Sequence, residues 1–203
     1  MGLTLWLVPN DENAQKLKRI MAVRPEPPHV VGSSTSYPAF YPHITLASLP
    51  SDPEPTPEQI HAAIPPLSQP LDVSFHQVEV GDHYFRSVYI AIQPAADLLA
   101  LHQHVHHELG IANPRTPKFP HLSLAYITDE DAAAGERARY SDALAKNSKN
   151  VSEGDGVSLN CGLNGQDEWL HVLKSLEIWV TRCEGPVETW TVESKIPLKV
   201  CAG

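Results

Sequence analysis

The chain contains no run approaching the roughly 20 consecutive apolar residues that a membrane-spanning helix needs, although 42% of its 203 residues are hydrophobic. Those residues are therefore available for a core, and the length suits one domain covering residues 1–203. Cysteine is scarce. Cys161, Cys183 and Cys201 are odd in number and show no CxxC spacing, which argues against a disulfide scaffold and leaves a structural zinc site with little support. Positive charge is also short: 15 Lys and Arg face 24 Asp and Glu, for a net charge of -9. Long nucleic acid is an unsuitable partner for such a balance, because its binding depends on basic side chains neutralising phosphates. No Gly-rich Walker loop, no GxGxxG following a strand and no HExxH is present, so those phosphate and metal sites have no basis here. Met1 to Pro9 is apolar but short and has no basic leader; it reads as a first strand rather than a signal peptide, and a cytoplasmic location is expected.

What the chain does have is a repeat. Tyr41-Pro42-His43-Ile44-Thr45-Leu46-Ala47 returns with conservative changes as Phe119-Pro120-His121-Leu122-Ser123-Leu124-Ala125. Only these two of the eleven histidines have Ser or Thr two residues later. The flanking residues are those of a buried strand, in which alternate side chains share a face. His43 and Thr45 are thus expected on one side, as are His121 and Ser123, with Ile44, Leu46, Leu122 and Leu124 turned to a core. Two imidazoles and two hydroxyls converge if the strands lie side by side.

Around the repeat, hydropathy predicts a strand at Leu3 to Val8 and a helix from Asp11 to Ala22. A loop spans 24–36, and Thr56-Pro57-Glu58-Gln59 reads as a capping box for a helix to about Ala63. Alternating strands at 71–80 and 84–92 are joined through Gly81-Asp82-His83. A third helix covers Ala95 to Leu109, and one long helix is predicted from Thr128 to about Lys146. Residues 147–156 read as a loop, and further strands are expected near 157–160, 172–183 and 187–192. The composite is α+β, and one copy of the motif in each half suggests a pseudo-twofold arrangement with the site between two lobes.

Paired histidines suit proton transfer near neutral pH, one taking a proton while the other gives one. The hydroxyls can donate to an anionic oxygen. The set fits a phosphodiester attacked on one side and leaving on the other. Trp6 is either a surface for a base or ribose or a core residue of the first strand. Phe40, Tyr41 and Phe119 either line the rim or pack. Arg115 and Lys118 are either solvated loop charges or contacts for phosphate. His102, His104, His106 and His107 share a helix and offer i, i+4 pairs for a metal, but with no third ligand nearby they read as an exposed face.

These residues resemble the two-histidine (2H) phosphoesterases, and within them the fungal and plant cyclic phosphodiesterases. The likeness rests on Trp6 in Leu-Trp-Leu-Val-Pro, on His43-x-Thr45 after the first helix, and on His121-x-Ser123 followed by Tyr126. The resemblance implies a bilobal α+β fold of antiparallel sheet with outer helices, and metal-independent hydrolysis of nucleoside 2',3'-cyclic phosphates to 2'-phosphates. It extends to ADP-ribose 1'',2''-cyclic phosphate, a product of tRNA splicing. His121 is implied as base toward water and His43 as acid toward the leaving oxygen, with Thr45 and Ser123 on the non-bridging oxygens and Tyr126 as a further donor or packing surface. No metal or other cofactor is implied, and the protein is expected to act as a monomer on small nucleotides. Two other readings stand beside this one: a 2H enzyme processing the ends of longer 2',3'-cyclic or 2'-5' linked RNA, and a nucleotide-binding module without chemistry.

Overall fold

A computed structural model describes residues 2–26, 31–112, 119–147, 149–174 and 176–200. The first apolar run forms β1 (Leu3–Val8), buried throughout. Leu3, Leu5 and Leu7 enter the main core while Trp6 and Val8 join a second cluster, so this strand is covered on both faces. Helix α1 (Asp11–Met21) starts where the Asn10 side chain accepts the Asn13 N–H, and it buries Ala14, Leu17 and Ile20. Strand β2 (Ile44–Ser48) carries the first motif. Helix α2 (Pro57–Ala62) has the predicted reciprocal cap between Thr56 and Gln59. Strands β3 (Val73–His83) and β4 (Arg86–Ile92) lead to α3 (Ala96–Glu108) and then to β5 (His121–Ala125).

Four expectations are corrected beyond this point or at the hairpin. Gly81-Asp82-His83 is not the turn: the three residues extend β3 through a register shift, and the chain reverses at Tyr84 and Phe85. Gly81 allows this because a Cβ there would lie 2.0 Å from the Arg86 carbonyl oxygen. The single helix after Thr128 is two, α4 (Asp129–Ala133) and α5 (Glu136–Lys146), because Gly135 takes φ 88° between them. Residues assigned to a loop at 147–156 include β6 (Asn150–Glu153), which pairs with β7 (Gly156–Asn160). Short strands β8 (Trp169–Leu170) and β9 (Val172–Leu173) precede β10 (Glu177–Arg182). The last strand, β11 (Thr191–Pro197), begins later than expected because Val187–Thr189 forms a 3-10 turn.

The main sheet has eight strands in the order β11-β10-β1-β2-β5-β4-β3-β9, and its ladders are antiparallel. The order is palindromic in plan: each motif strand sits innermost in its own group of four. The two groups meet through one register pair, Ile44 with Leu122. Helix α1 packs on β5 and α3 on β2, so each helix covers the motif strand of the opposite group. Ile44, Leu46, Leu122 and Leu124 are buried in that helix-covered core, each worth about 1.5–3 kcal/mol of apolar burial. A second sheet, β6-β7-β8, lies beside β3.

Candidate active site

On the face of the main sheet away from Ile44 and Leu122 lies a cavity of about 270 Å³. His43, Thr45, His121 and Ser123 all line it, together with Trp6 and Tyr126. The period-2 reading thus places both motifs correctly, and the side-by-side strands bring them to one space. The described residues hold no group of three or more His, Cys, Asp or Glu able to bind a metal ion.

His43 is 7% exposed. Its ring stacks on Trp6 with centroids 3.7 Å apart and planes 10° from parallel. Nδ1 lies 2.7 Å from the Tyr41 carbonyl oxygen, which can only accept, so Nδ1 carries a hydrogen and Nε2 is the nitrogen that exchanges protons. Burial lowers the imidazole pKa to about 4; the Tyr41 carbonyl opposes this, and His121 adds repulsion. The resting His43 is therefore neutral at pH 7.

The second motif has a matching partner. Tyr89 of β4 stands edge-on to His121, ring centroids 5.4 Å apart, and its hydroxyl is held by Glu79. In register, Trp6 faces Thr45 and Tyr89 faces Ser123. Each motif hydroxyl thus lies opposite an aromatic residue that also touches the motif histidine, a correspondence that sequence alone could not show because strand register creates it.

The two hydroxyls differ. Ser123 Oγ donates to the Phe85 carbonyl oxygen at 2.7 Å, whereas the Thr45 hydroxyl has no protein partner among the described residues. Strand β5 ends at Ala125, and the break in alternation lets Tyr126 turn into the cavity although it is three residues after Ser123. Tyr126 is buried, its hydroxyl interacts with that of Ser123, and burial raises its pKa. Trp6 lines the cavity too, but His43 covers one of its faces.

The remaining aromatics of the two motifs pack behind the site. Phe40 stacks on Tyr126 at 3.9 Å, Tyr41 leans on Trp179 at 4.5 Å, and Phe119 stacks on His102 at 4.0 Å. The histidine helix is only half exposed: His104 and His107 face solvent, while His106 is buried and His102 lies between it and Phe119. That corrects the reading of one exposed face; through His102, α3 also touches Phe119 at the start of the second motif. Arg115 and Lys118 lie outside the described residues. The cavity wall also includes His83, Phe85, Arg86 and Trp190. None stood out in the sequence, since a hairpin tip and a turn near the C-terminus carry no pattern that aims them at a common point.

Two strands, each presenting His and a hydroxyl two residues later to a shared cavity at the centre of an antiparallel sheet, define a two-histidine phosphoesterase. The chain belongs to the cyclic phosphodiesterase-like protein family, whose profile matches residues 1–198, and it is a phosphodiesterase enzyme. A 2',3'-cyclic-nucleotide 3'-phosphodiesterase of Kluyveromyces lactis is 26% identical over 225 residues, covering 97% of this chain and 98% of that protein. Among solved structures, TT0787 of Thermus thermophilus aligns at 16% identity and TM-score 0.47, covering 98% of this chain and 99% of its own. E. coli LigT complexed with 3'-AMP aligns at 15% identity and TM-score 0.49, with 98% of each chain covered.

Proposed function

We propose that this enzyme hydrolyses nucleoside 2',3'-cyclic phosphates to 2'-phosphates, acts also on ADP-ribose 1'',2''-cyclic phosphate, and does so in one domain without a metal ion. The observation that carries the reading is the convergence of His43, Thr45, His121 and Ser123 on one cavity at the junction of the two strand groups. The relative from Kluyveromyces lactis, aligned over nearly the full length of both chains, supports the choice of substrate class.

His121 takes a proton from the attacking water, and His43 gives one through Nε2 to the departing 3' oxygen. A neutral resting His43 must first be charged for that step. The cyclic phosphate supplies the cause: its negative charge beside the imidazole favours the imidazolium and raises the depressed pKa. Thr45 and Ser123 donate to the non-bridging oxygens, with Ser123 turning its hydrogen from the Phe85 carbonyl, and Tyr126 adds a donor at the Ser123 end. Trp6 fixes the His43 ring by stacking.

The test is incubation of the protein in excess EDTA with 2',3'-cyclic AMP and with ADP-ribose 1'',2''-cyclic phosphate, followed by identification of the monoester formed. Turnover of either, with a loss of about 10²–10⁴ in kcat/KM for His43→Ala and for His121→Ala, is expected. Activity that vanishes in EDTA and returns with zinc or manganese contradicts the metal-free step. Faster turnover of an oligonucleotide than of the mononucleotide would favour processing of RNA ends instead.

A further inference from the structure

Among the described residues that line the cavity, Arg86 is the one side chain with a permanent charge, in a chain of net charge -9. It is 8% exposed. One of its terminal nitrogens, Nη2, donates to the exposed Asp82 carboxylate at 2.8 Å. Its Nε is buried and has no acceptor among the described residues. The guanidinium lies 5.8 Å from the ring of Tyr89, the same ring that stands edge-on to His121. The charge therefore belongs to the neighbourhood of the second motif rather than to the outer surface.

A buried N–H without an acceptor is costly, and for a cation more so. Arg86 is not alone in this: Trp190, between β10 and β11 of the opposite group, lines the same cavity, and its Nε1 is also buried without an acceptor among the described residues. At the rim, His83 accepts the Phe85 N–H at Nδ1, 3.3 Å away, so its Nε2 carries the hydrogen when the ring is neutral. Two buried N–H groups without an acceptor among the described residues thus belong to side chains that border this space, and an anion is the ligand they favour. The motif residues do not meet the need by themselves. Ser123 rests with its one hydrogen on the Phe85 carbonyl and must turn it to reach a ligand, and the threonine and serine hydroxyls carry no charge.

We propose that Arg86 is a substrate-binding residue that contacts the scissile phosphate itself, its guanidinium giving the charged hydrogen bond that Thr45 and Ser123 cannot give. The inference rests on the reading of the cavity as a cyclic phosphate site. Asp82 holds the guanidinium through Nη2 and so fixes the side chain at the cavity wall. A lysine at this position would keep the charge but lose the fixed fork.

Inorganic phosphate is the probe, titrated by calorimetry into the native protein and Arg86→Gln, alongside hydrolysis of 2',3'-cyclic AMP. Arg86→Gln is expected to weaken phosphate binding by about tenfold or more, to reduce kcat/KM, and to keep the native circular dichroism spectrum. Guanidinium added to Arg86→Ala should restore part of the activity, an effect that a structural role would not produce. Saturating phosphate should also shift the Arg86 Nε–H resonance of the native protein, a measurement that needs no variant to fold. Native-like phosphate affinity in Arg86→Gln, or an Nε–H resonance indifferent to phosphate, would overturn the proposal. If the native protein hydrolyses no cyclic phosphate, the functional reading fails separately, and the phosphate titration still decides for Arg86.

Discussion

His43 owes its low pKa chiefly to burial, with its ring stacked on Trp6, and only secondarily to repulsion from His121. This makes anion binding a proton-linked event. At pH 6 the free imidazole is neutral, its pKa having fallen to about 4. A bound dianion favours the charged ring and raises that pKa, so binding takes up a proton and tightens as pH falls. Sulfate, which does not titrate in this range, is expected to bind more tightly at pH 5 than at pH 7, with proton uptake measurable by calorimetry in buffers of different ionisation enthalpy. His43→Ala should remove the uptake; equal uptake in the variant would assign it elsewhere. The two motif pairs were visible in the sequence because repetition and period-2 spacing are local. Arg86 and Tyr89 were not, because what makes them relevant is the register of β4 against β5, which fixes Tyr89 opposite Ser123.

At the scale of elements, the hairpin of β3 and β4 supplies what the motif strands lack. Its tip carries Phe85, whose carbonyl accepts from Ser123, and Arg86 beside it. The hairpin keeps this form through Gly81, where an added Cβ would meet the Arg86 carbonyl oxygen at 2.0 Å and its carbon at 3.2 Å. Both are backbone atoms, so no side chain can swing away to make room. Gly81→Ala is expected to destabilise the fold by about 1–3 kcal/mol in urea titrations, the range typical of overpacking, and to lower kcat/KM although Gly81 touches no substrate. Native activity in a folded Gly81→Ala protein would show that the hairpin tip is not held in this way. Helices with clear caps, such as α2 after Thr56, were legible to within a residue or so. The break at Gly135 was hidden because an alanine-rich run reads as one helix until a single residue adopts positive φ. The turn between β3 and β4 was misplaced for a related reason: Gly-Asp is a strong turn signal, and here glycine serves close approach of backbone instead.

For the whole molecule, the histidines that serve the site also set its response to acid. His43 lies inside the cavity wall and His102 between His106 and Phe119, and both have pKa values lowered to about 4 chiefly by burial. In the unfolded chain each returns to about 6.5. Between those limits the unfolded state binds more protons than the folded one, so stability is full above pH 6.5 and declines as pH falls toward 4. For His43 the difference corresponds to on the order of 3 kcal/mol; His102 is partly exposed and contributes less. Asp131 is held below the usual carboxylate range by Ser36, first, and by the backbone N–H groups of Gly32 and Ser33 with the Thr128 hydroxyl. Its stabilisation is lost only at still lower pH, which leaves pH 6.5 to 4.5 as a window dominated by histidine. Urea midpoints at pH 7.0, 6.0, 5.0 and 4.5 should therefore fall steadily, and the His43→Asn, His102→Asn double variant should flatten the decline. A native midpoint unchanged from pH 7.0 to 5.0 would mean that these rings are solvated enough to charge without cost, and the dry wall around His43 on which the proton-linked anion site depends would have to be abandoned.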